Sequence, residues 1–349
     1  MKKISIFLVI SWYLLSYFIS ILFLEQISII ENIWIRILIA HVIATVVIYM
    51  GSFVHNNSSL YDPFWSIAPI PITIYLFFIS GQSNITLLNK LFITFPIFVW
   101  SFRLTRNWVI SWDGFVHEDF RYINLKKGGK IKLEFINFTG IHLIPTLQVN
   151  LSLVPLYFLF NNAQLNENNY LLMLASFFAL VAVAIETIAD EQMRFFRKHR
   201  ENDGTTMAKG LWYYSRHPNY FGEIMFWVGI YLMALLTVKT PLWLLISPTS
   251  MIMLFVFISC PMMDARSLQK RHDYQSYMTK EQDTGLVELI KPRNKFDLWR
   301  LSLPRYGNKK VGNRLNGRWL YIDMYLGNAD ANNSQFNIYS LGLNYNNKI

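Results

Sequence analysis

The chain has 349 residues, 53% of them hydrophobic, and a positive mean hydropathy. Charged side chains make up only 15%, against about 25% in soluble domains, which excludes an ordinary soluble fold. A single cysteine, Cys260, excludes an intrachain disulfide and a thiolate metal cluster.

Apolar runs near the ~20 residues that cross a bilayer recur at about residues 4–24, 33–54, 64–80, 88–110, 140–160, 170–190, 220–238 and 241–262. The expected fold is therefore all-α, a polytopic transmembrane bundle of about eight spans occupying residues 1–294, followed by a tail over 295–349. Lys2 and Lys3 open a run that is long for a signal-peptide core and lacks a small-x-small cleavage pattern. With a cytoplasmic N-terminus, eight spans return the C-terminus to the same side. Of the 32 Lys and Arg, only Arg36, Lys90 and Lys239 then lie toward the outside. That asymmetry follows the positive-inside rule, so the net charge of +10 reads as topology rather than as nucleic-acid binding.

Along the chain, residues 1–54 read as two plain spans, with His41 deep in the second and expected to pack through a hydrogen bond. The third run opens on Tyr61-Asp-Pro-Phe-Trp-Ser66 and contains Pro69 and Pro71, which predicts a broken helix lining a cavity. The fourth ends with Arg103, Arg106 and Asn107 at helical spacing; snorkelling to the surface is the plain alternative. A loop of mixed charge is expected over 111–139, and the fifth run carries Pro145 and Pro155. The sixth ends in Glu186, Asp190 and Arg194 at i, i+4, i+8, with Arg197 one turn on. This stripe is either an intrahelical salt-bridge ladder or one wall of a site, because an acid at that depth is costly unless it faces protein.

The segment Gly210-Leu-Trp-Tyr-Tyr-Ser-Arg-His-Pro-Asn-Tyr-Phe-Gly-Glu223 starts the seventh run. Proline suits the first turn of a helix, so His217 or Ser215 is the expected cap. Arg216 then stands beside a helix N-terminus, where an anion is favoured. Asn219 and Glu223, four residues apart, share the inward face. After the eighth run, Asp264, Arg266, Arg271, Tyr274 and Tyr277 read as an amphipathic cytoplasmic helix that closes over a membrane-surface site. The tail is Asn-rich. Its residues 319–326 and 335–345 alternate about a turn-like stretch, which reads as a β-hairpin.

No Walker loop, HExxH or GxSxG motif occurs, and the seven histidines show no metal-ligand spacing. What remains is a constellation on the cytoplasmic halves of the later spans: Arg103, Asn107, Glu186, Asp190, Arg194, Arg197, Arg216, His217, Asn219, Tyr220, Glu223 and Arg266. It combines arginines able to hold phosphates with carboxylates able to take hydroxyls or an amide.

At Gly210–Glu223, together with Tyr61–Ser66, Arg103–Trp108 and Ala189–Phe196, the chain resembles bacterial membrane proteins related to the C-terminal domain of steroid 5α-reductase, over about residues 60–292. The resemblance implies an inner-membrane reductase holding NADPH in a cytoplasm-facing cavity. Hydride goes to the β-carbon of a lipophilic enone or related alkene. Asp190, Asn219 and Glu223 match cofactor-contacting positions of that family, and Arg194 and Arg197 match its following arginines. Glu186 stands where an asparagine is expected. Tyr61 and Asp62 are the candidates for handling the substrate carbonyl, which needs a donor for developing enolate charge. The Arg-His-Pro-x-Tyr-x-Gly element is also shared with membrane methyltransferases that bind S-adenosylmethionine, but the Glu-Glu pair of those enzymes is replaced here by Met262-Met-Asp-Ala-Arg266. A non-catalytic lipid-binding protein is the third reading.

Overall fold

The computed structural model describes residues 2–79, 85–116, 118–119, 122–123, 130–161, 165 and 169–279, all within a compact unit spanning Met1–Leu301. The tail and its expected β-hairpin lie outside these residues. Among the described residues there is no strand, and eight helices are long and apolar enough to cross a membrane. They are α1 (Lys2–Ile29), α2 (Ile33–Val54), α3 (Ser58–Ile79), α4 (Leu87–Ser111), α5 (Leu133–Phe160), α6 (Tyr170–Arg197), α7 (Pro218–Thr237) and α8 (Leu242–Lys270). A short α9 (Tyr274–Thr279) follows. The chain is a multi-pass membrane protein of the expected all-α class.

Local chemistry explains the helix starts. Asn32 Oδ1 accepts from the main-chain N–H of Trp34 and Ile35, at 3.0 and 3.2 Å. Thr86 Oγ1 accepts from Asn89 N, and Asn169 Oδ1 from Leu172 N. Each satisfies N–H groups that a helix start leaves without an intrahelical partner. Proline explains the irregularities. α3 is broken as the sequence predicts, into Ser58–Leu60, Phe64–Ile67 and Pro69–Ile79. Two wide π-helical turns, Asn137–Leu143 in α5 and Phe255–Ser259 in α8, each lie just before a proline, Pro145 and Pro261. A proline ring crowds the carbonyl four residues back, and a wider turn relieves that clash.

Two boundaries depart from the sequence reading. Helix begins at Lys130 rather than near residue 140, with the π turn joining the first segment to the rest of α5. α6 continues to Arg197 instead of ending near 190, so the charged stripe stays helical beyond the apolar run.

α6 and α7 form the tightest pair. A Cβ placed on Gly222 would lie 2.7 Å from Glu186 Cβ and 2.8 Å from the Ala182 carbonyl. One placed on Gly229 would lie 2.8 Å from Ala179 Cβ. In lipid no hydrophobic force drives one helix onto another, so close backbone approach through small residues holds such pairs. Aromatic packing joins α4 to this pair: Trp100 stacks on Phe226 at 5.0 Å and meets Trp227 edge-on at 5.1 Å. Large exposed apolar side chains such as Phe7, Phe18, Phe78 and Phe177 face outward, as a lipid-facing surface requires.

Candidate functional site

The close α6–α7 approach puts Glu186 and Asp190 of α6 beside Asn219 and Glu223 of α7. α4 closes the third side with Trp100, Arg103 and Asn107. Arg103, 6% exposed, forms ion pairs with both Glu186 and Asp190. Asp190 Oδ2 also accepts from Asn107 Nδ2 at 2.8 Å, and its Oδ1 accepts from Asn219 Nδ2 at 3.1 Å. Glu223, 3% exposed, is held by two indoles: Trp100 Nε1 donates to Oε2 at 3.0 Å and Trp227 Nε1 to Oε1 at 2.8 Å. Charge-assisted bonds of this kind are the stronger class, so the carboxylates are fixed in orientation.

Apart from Arg103 Nη1, which has only its ion pair with Glu186, two buried atoms of this cluster lack ordinary partners. Arg103 Nε has no acceptor, and Glu186 Oε2 receives no N–H or hydroxyl. The neighbour of Glu186 is the Glu223 carboxyl, and two carboxyls can hydrogen-bond only when one keeps a proton. Arg103 and Glu186 are themselves ion-paired, and the unsatisfied donor of one and acceptor of the other are the two kinds of partner that a ligand carboxamide offers. This donor set fits the amide end of a nicotinamide cofactor.

A second node lies at the start of α7. His217 is the residue before the first helical turn and Pro218 opens the helix, as the motif predicts, but the His217 side chain makes no cap bond. Its Nε2 instead pairs with Asp264 Oδ1 of α8 at 2.8 Å. Tyr274 of α9 donates to the same oxygen, and Arg216 Nη2 lies 3.5 Å from Asp264 Oδ2. Burial, then the Asp264 carboxylate, pushes the Tyr274 phenol above its ordinary value, which keeps it a donor. Tyr277 donates to the Trp212 carbonyl and, at 3.3 Å, to that of Ser215. The expected amphipathic closure is therefore realised as the end of α8 plus α9, fastened over the Leu211–Tyr214 turn. Tyr220 stacks on His217, 5.3 Å between ring centroids.

The rim is basic. Arg197, at the exposed end of α6, lies within electrostatic range of Arg266, Arg271, Asp190 and Tyr220. Arg266 and Arg271 each repel the Arg197 guanidinium, and an anion beside Arg197 relieves that repulsion. Arginines are able to hold phosphate groups.

Of the residues named from sequence, Arg103, Asn107, Glu186, Asp190, Asn219 and Glu223 form one cluster. Arg216, His217 and Tyr220 form the adjacent node, and Arg197 and Arg266 stand at the rim. Arg194 leaves the stripe: it pairs with Glu191, which also binds Arg106 at 3.0 Å, on the outer side of the α4–α6 contact. The intrahelical ladder is thus not formed by Glu186 and Asp190, whose cation is Arg103 on another helix. Tyr61 and Asp62 sit in a separate polar cluster. Tyr61 Oη shares a hydrogen bond with Thr146 at 2.8 Å, and Tyr122 donates to Asp62. Trp65 stands between the two clusters, packing on the residues around Tyr61 and on Trp100 at 5.7 Å. His41, expected to pack, faces Phe64 and lies 3.5 Å from the Asn150 amide.

Sequence reading missed Trp100 and Trp227 as the partners of Glu223, the central role of Asp264, and Arg271 on the rim. Tryptophan is a common residue of the membrane interface, and that reading hid the first two. The third showed only as an acid where a span turns polar. Among the described residues, no group of three His, Cys, Asp or Glu side chains is arranged to hold a metal ion.

Comparison with known proteins agrees in part. A curated relative from Schizosaccharomyces pombe, "Uncharacterized protein C594.04c", is 25% identical over 201 residues, which are 51% of this chain and 57% of that protein. The chain thus spans little more than half the length of that relative. No solved structure matches. The family described as "Protein of unknown function (DUF1295)" matches residues 47–283. With the site lying wholly inside that match, the chain belongs to this steroid 5α-reductase-like family.

Proposed function

We propose that this protein is an NADPH-dependent reductase of the C=C bond of a lipophilic enone or related lipid, working in a bacterial inner membrane with both termini cytoplasmic. The observation that carries the reading is Asp190. It is held by Arg103, Asn107 and Asn219 at once, next to Glu186, whose Oε2 receives no N–H or hydroxyl, and within electrostatic range of Arg197. Carboxylates and amides able to take hydroxyl or carboxamide groups, with arginines able to take phosphates, are the chemistry a dinucleotide needs.

NADPH, when bound, supplies a hydride for the β-carbon of the substrate. Arg197, Arg266 and Arg271 hold its phosphates, with Arg216 and His217 shaping the wall behind them. Asp190 and Asn219 orient ribose or amide groups, and Glu186 with Arg103 meets the carboxamide. Glu223, held by two indoles, would present a fixed carboxyl group to the nicotinamide end of the cofactor. The substrate enters from lipid between the earlier spans. Tyr61, a buried phenol beside Asp62, is the donor assigned to the substrate carbonyl, where it stabilises developing negative charge.

The test is ligand-induced stabilisation of the detergent-purified protein. A ligand that binds the native state raises its apparent stability by RT ln(1 + [L]/Kd). NADPH is expected to raise the unfolding temperature and S-adenosylmethionine to leave it unchanged. Stabilisation by S-adenosylmethionine alone overturns the reductase reading.

A further inference from the structure

The buried cluster has a charge imbalance. Three carboxyl groups, Glu186, Asp190 and Glu223, face one buried guanidinium, that of Arg103. Every other group bound to those carboxyls is neutral: two indole N–H groups on Glu223 and two side-chain amides on Asp190. The charged groups around Glu186 are Arg103 from α4, Glu223 from α7 and Asp190 on its own helix. Arg197, exposed at the end of α6, acts on the cluster at Asp190. A buried net negative charge is expensive unless it is neutralised. Both oxygens of Glu223 already accept from indoles, which are donors only. Glu186 Oε2, the oxygen that receives no N–H or hydroxyl, is therefore where an added proton or an approaching positive charge has most to gain.

We infer that the Arg103–Glu186–Asp190–Glu223 cluster selects its ligand by charge, binding the oxidised, cationic nicotinamide ring more tightly than the reduced, neutral one. The inference rests on the reductase reading. Without the cofactor, the missing positive charge is a proton on Glu186, whose Oε2 receives no N–H or hydroxyl. A cationic ring replaces that charge and releases the proton; a neutral ring leaves it in place. The two redox forms carry the same phosphates, so whatever the arginine rim contributes cancels in the comparison. The consequence for turnover is that oxidised cofactor leaves slowly, so product release rather than hydride transfer limits the rate.

Equilibrium binding tests this without any turnover. Calorimetric titration of the purified protein with NADP+ and NADPH at pH 6, 7 and 8 gives both dissociation constants. NADP+ is expected to bind about tenfold more tightly than NADPH at pH 8, a typical coupling between charge state and affinity. Its affinity should rise with pH more steeply than that of NADPH, by up to about tenfold per pH unit for one proton released. Repeating the NADP+ titration in two buffers of different ionisation enthalpy counts that proton directly. Glu186→Gln, neutral and of the same shape, should abolish the extra pH dependence and bring the two forms within about twofold. Glu223→Gln gives the same reading if the first variant does not fold. Equal affinities, or tighter NADPH at all three pH values, with both forms bound, overturn the charge inference and leave the reductase reading standing. Failure of both forms to bind a folded preparation overturns the reductase reading itself, and binding of NADPH alone overturns the charge inference.

Discussion

Gly222 and Glu186 meet at the α6–α7 crossing so closely that a single added carbon on Gly222 would lie 2.7 Å from Glu186 Cβ and 2.9 Å from its main-chain nitrogen. The second of those neighbours is backbone and cannot rotate away. The approach that makes the helix pair stable is therefore the same one that brings the α7 carboxylate to the α6 carboxylate.

Gly222→Ala is accordingly expected to push α7 away from α6. Overpacking of a tight contact costs about 1–3 kcal/mol, and thermal unfolding in detergent should register it. The distinguishing outcome is a loss of cofactor binding larger than the loss of stability. Gly229→Ala, seven residues further along the same face and against Ala179 rather than the acids, should destabilise by a similar amount and leave binding nearly intact. Equal effects of the two variants on binding would show that the crossing at Gly222 has no special bearing on the site.

The indoles offer a finer test. Trp100→Phe and Trp227→Phe each keep an aromatic ring in the packed layer with Phe226 but remove the N–H that holds one Glu223 oxygen. A hydrogen bond to a charged group contributes about 1.5–3 kcal/mol. Each variant should weaken cofactor binding by about tenfold or more, while intrinsic fluorescence and unfolding show a retained fold. Trp65→Phe, which touches Trp100 but not Glu223, is the control and should bind normally.

How much of this was legible in the chain depends on the reach of each interaction. The eight spans follow from composition, because each is a local property of about twenty residues. The start of α7 at Pro218 and the shared face of Asn219 and Glu223 follow from local geometry in the same way. The partners of those residues did not follow. Arg103 lies 83 residues from Glu186, and Trp100 lies 123 residues from Glu223. Nothing within either segment marks the other. Arg194 misled for a related reason: the i, i+4, i+8 rule pointed it along the stripe toward Asp190, yet successive steps of four drift around the helix, far enough to meet Glu191 and leave Asp190 to Arg103. The π turns before Pro145 and Pro261 were invisible because proline marks the strain but not which way the backbone relieves it.

The rim makes a prediction about an arginine that the sequence did not single out as a ligand. Arg271 stands with Arg197 and Arg266 and packs over the Tyr274 ring at 5.8 Å. Arg271→Ala removes one guanidinium from a phosphate subsite, and the affinity for NADPH should fall about tenfold or more, as for loss of a charge-assisted bond. Raising the salt concentration should weaken binding to the wild type more than to the variant, because the lost contact is the more exposed and screenable one. Unchanged affinity in Arg271→Ala would remove this residue from the phosphate assignment and restrict it to supporting Tyr274.

The segment that fastens the rim is pH-dependent through Asp273. Its carboxylate accepts from the Thr206 amide at 3.0 Å and the Thr206 hydroxyl at 2.6 Å, and the neighbouring His272 amide donates to the Gly204 carbonyl at 3.1 Å. Burial alone raises the carboxyl, but the two Thr206 bonds outweigh it and hold Asp273 below the ordinary carboxylate range. With the folded value depressed, the group stabilises the closed loop at any pH above its unfolded value. That contribution is lost as the pH falls through the folded value. Protection of the loop joining α6 to α7 should therefore hold from neutral pH down to the ordinary carboxylate value and fall from there toward the depressed folded value. Hydrogen exchange at the Thr206 amide, corrected for the intrinsic rate at each pH, measures this directly. Asp273→Asn retains an acceptor that cannot titrate, so its Thr206 protection should be lower at neutral pH and flat on acidification. Protection that is flat in the wild type as well, below the carboxylate range, would mean that Asp273 does not hold the loop.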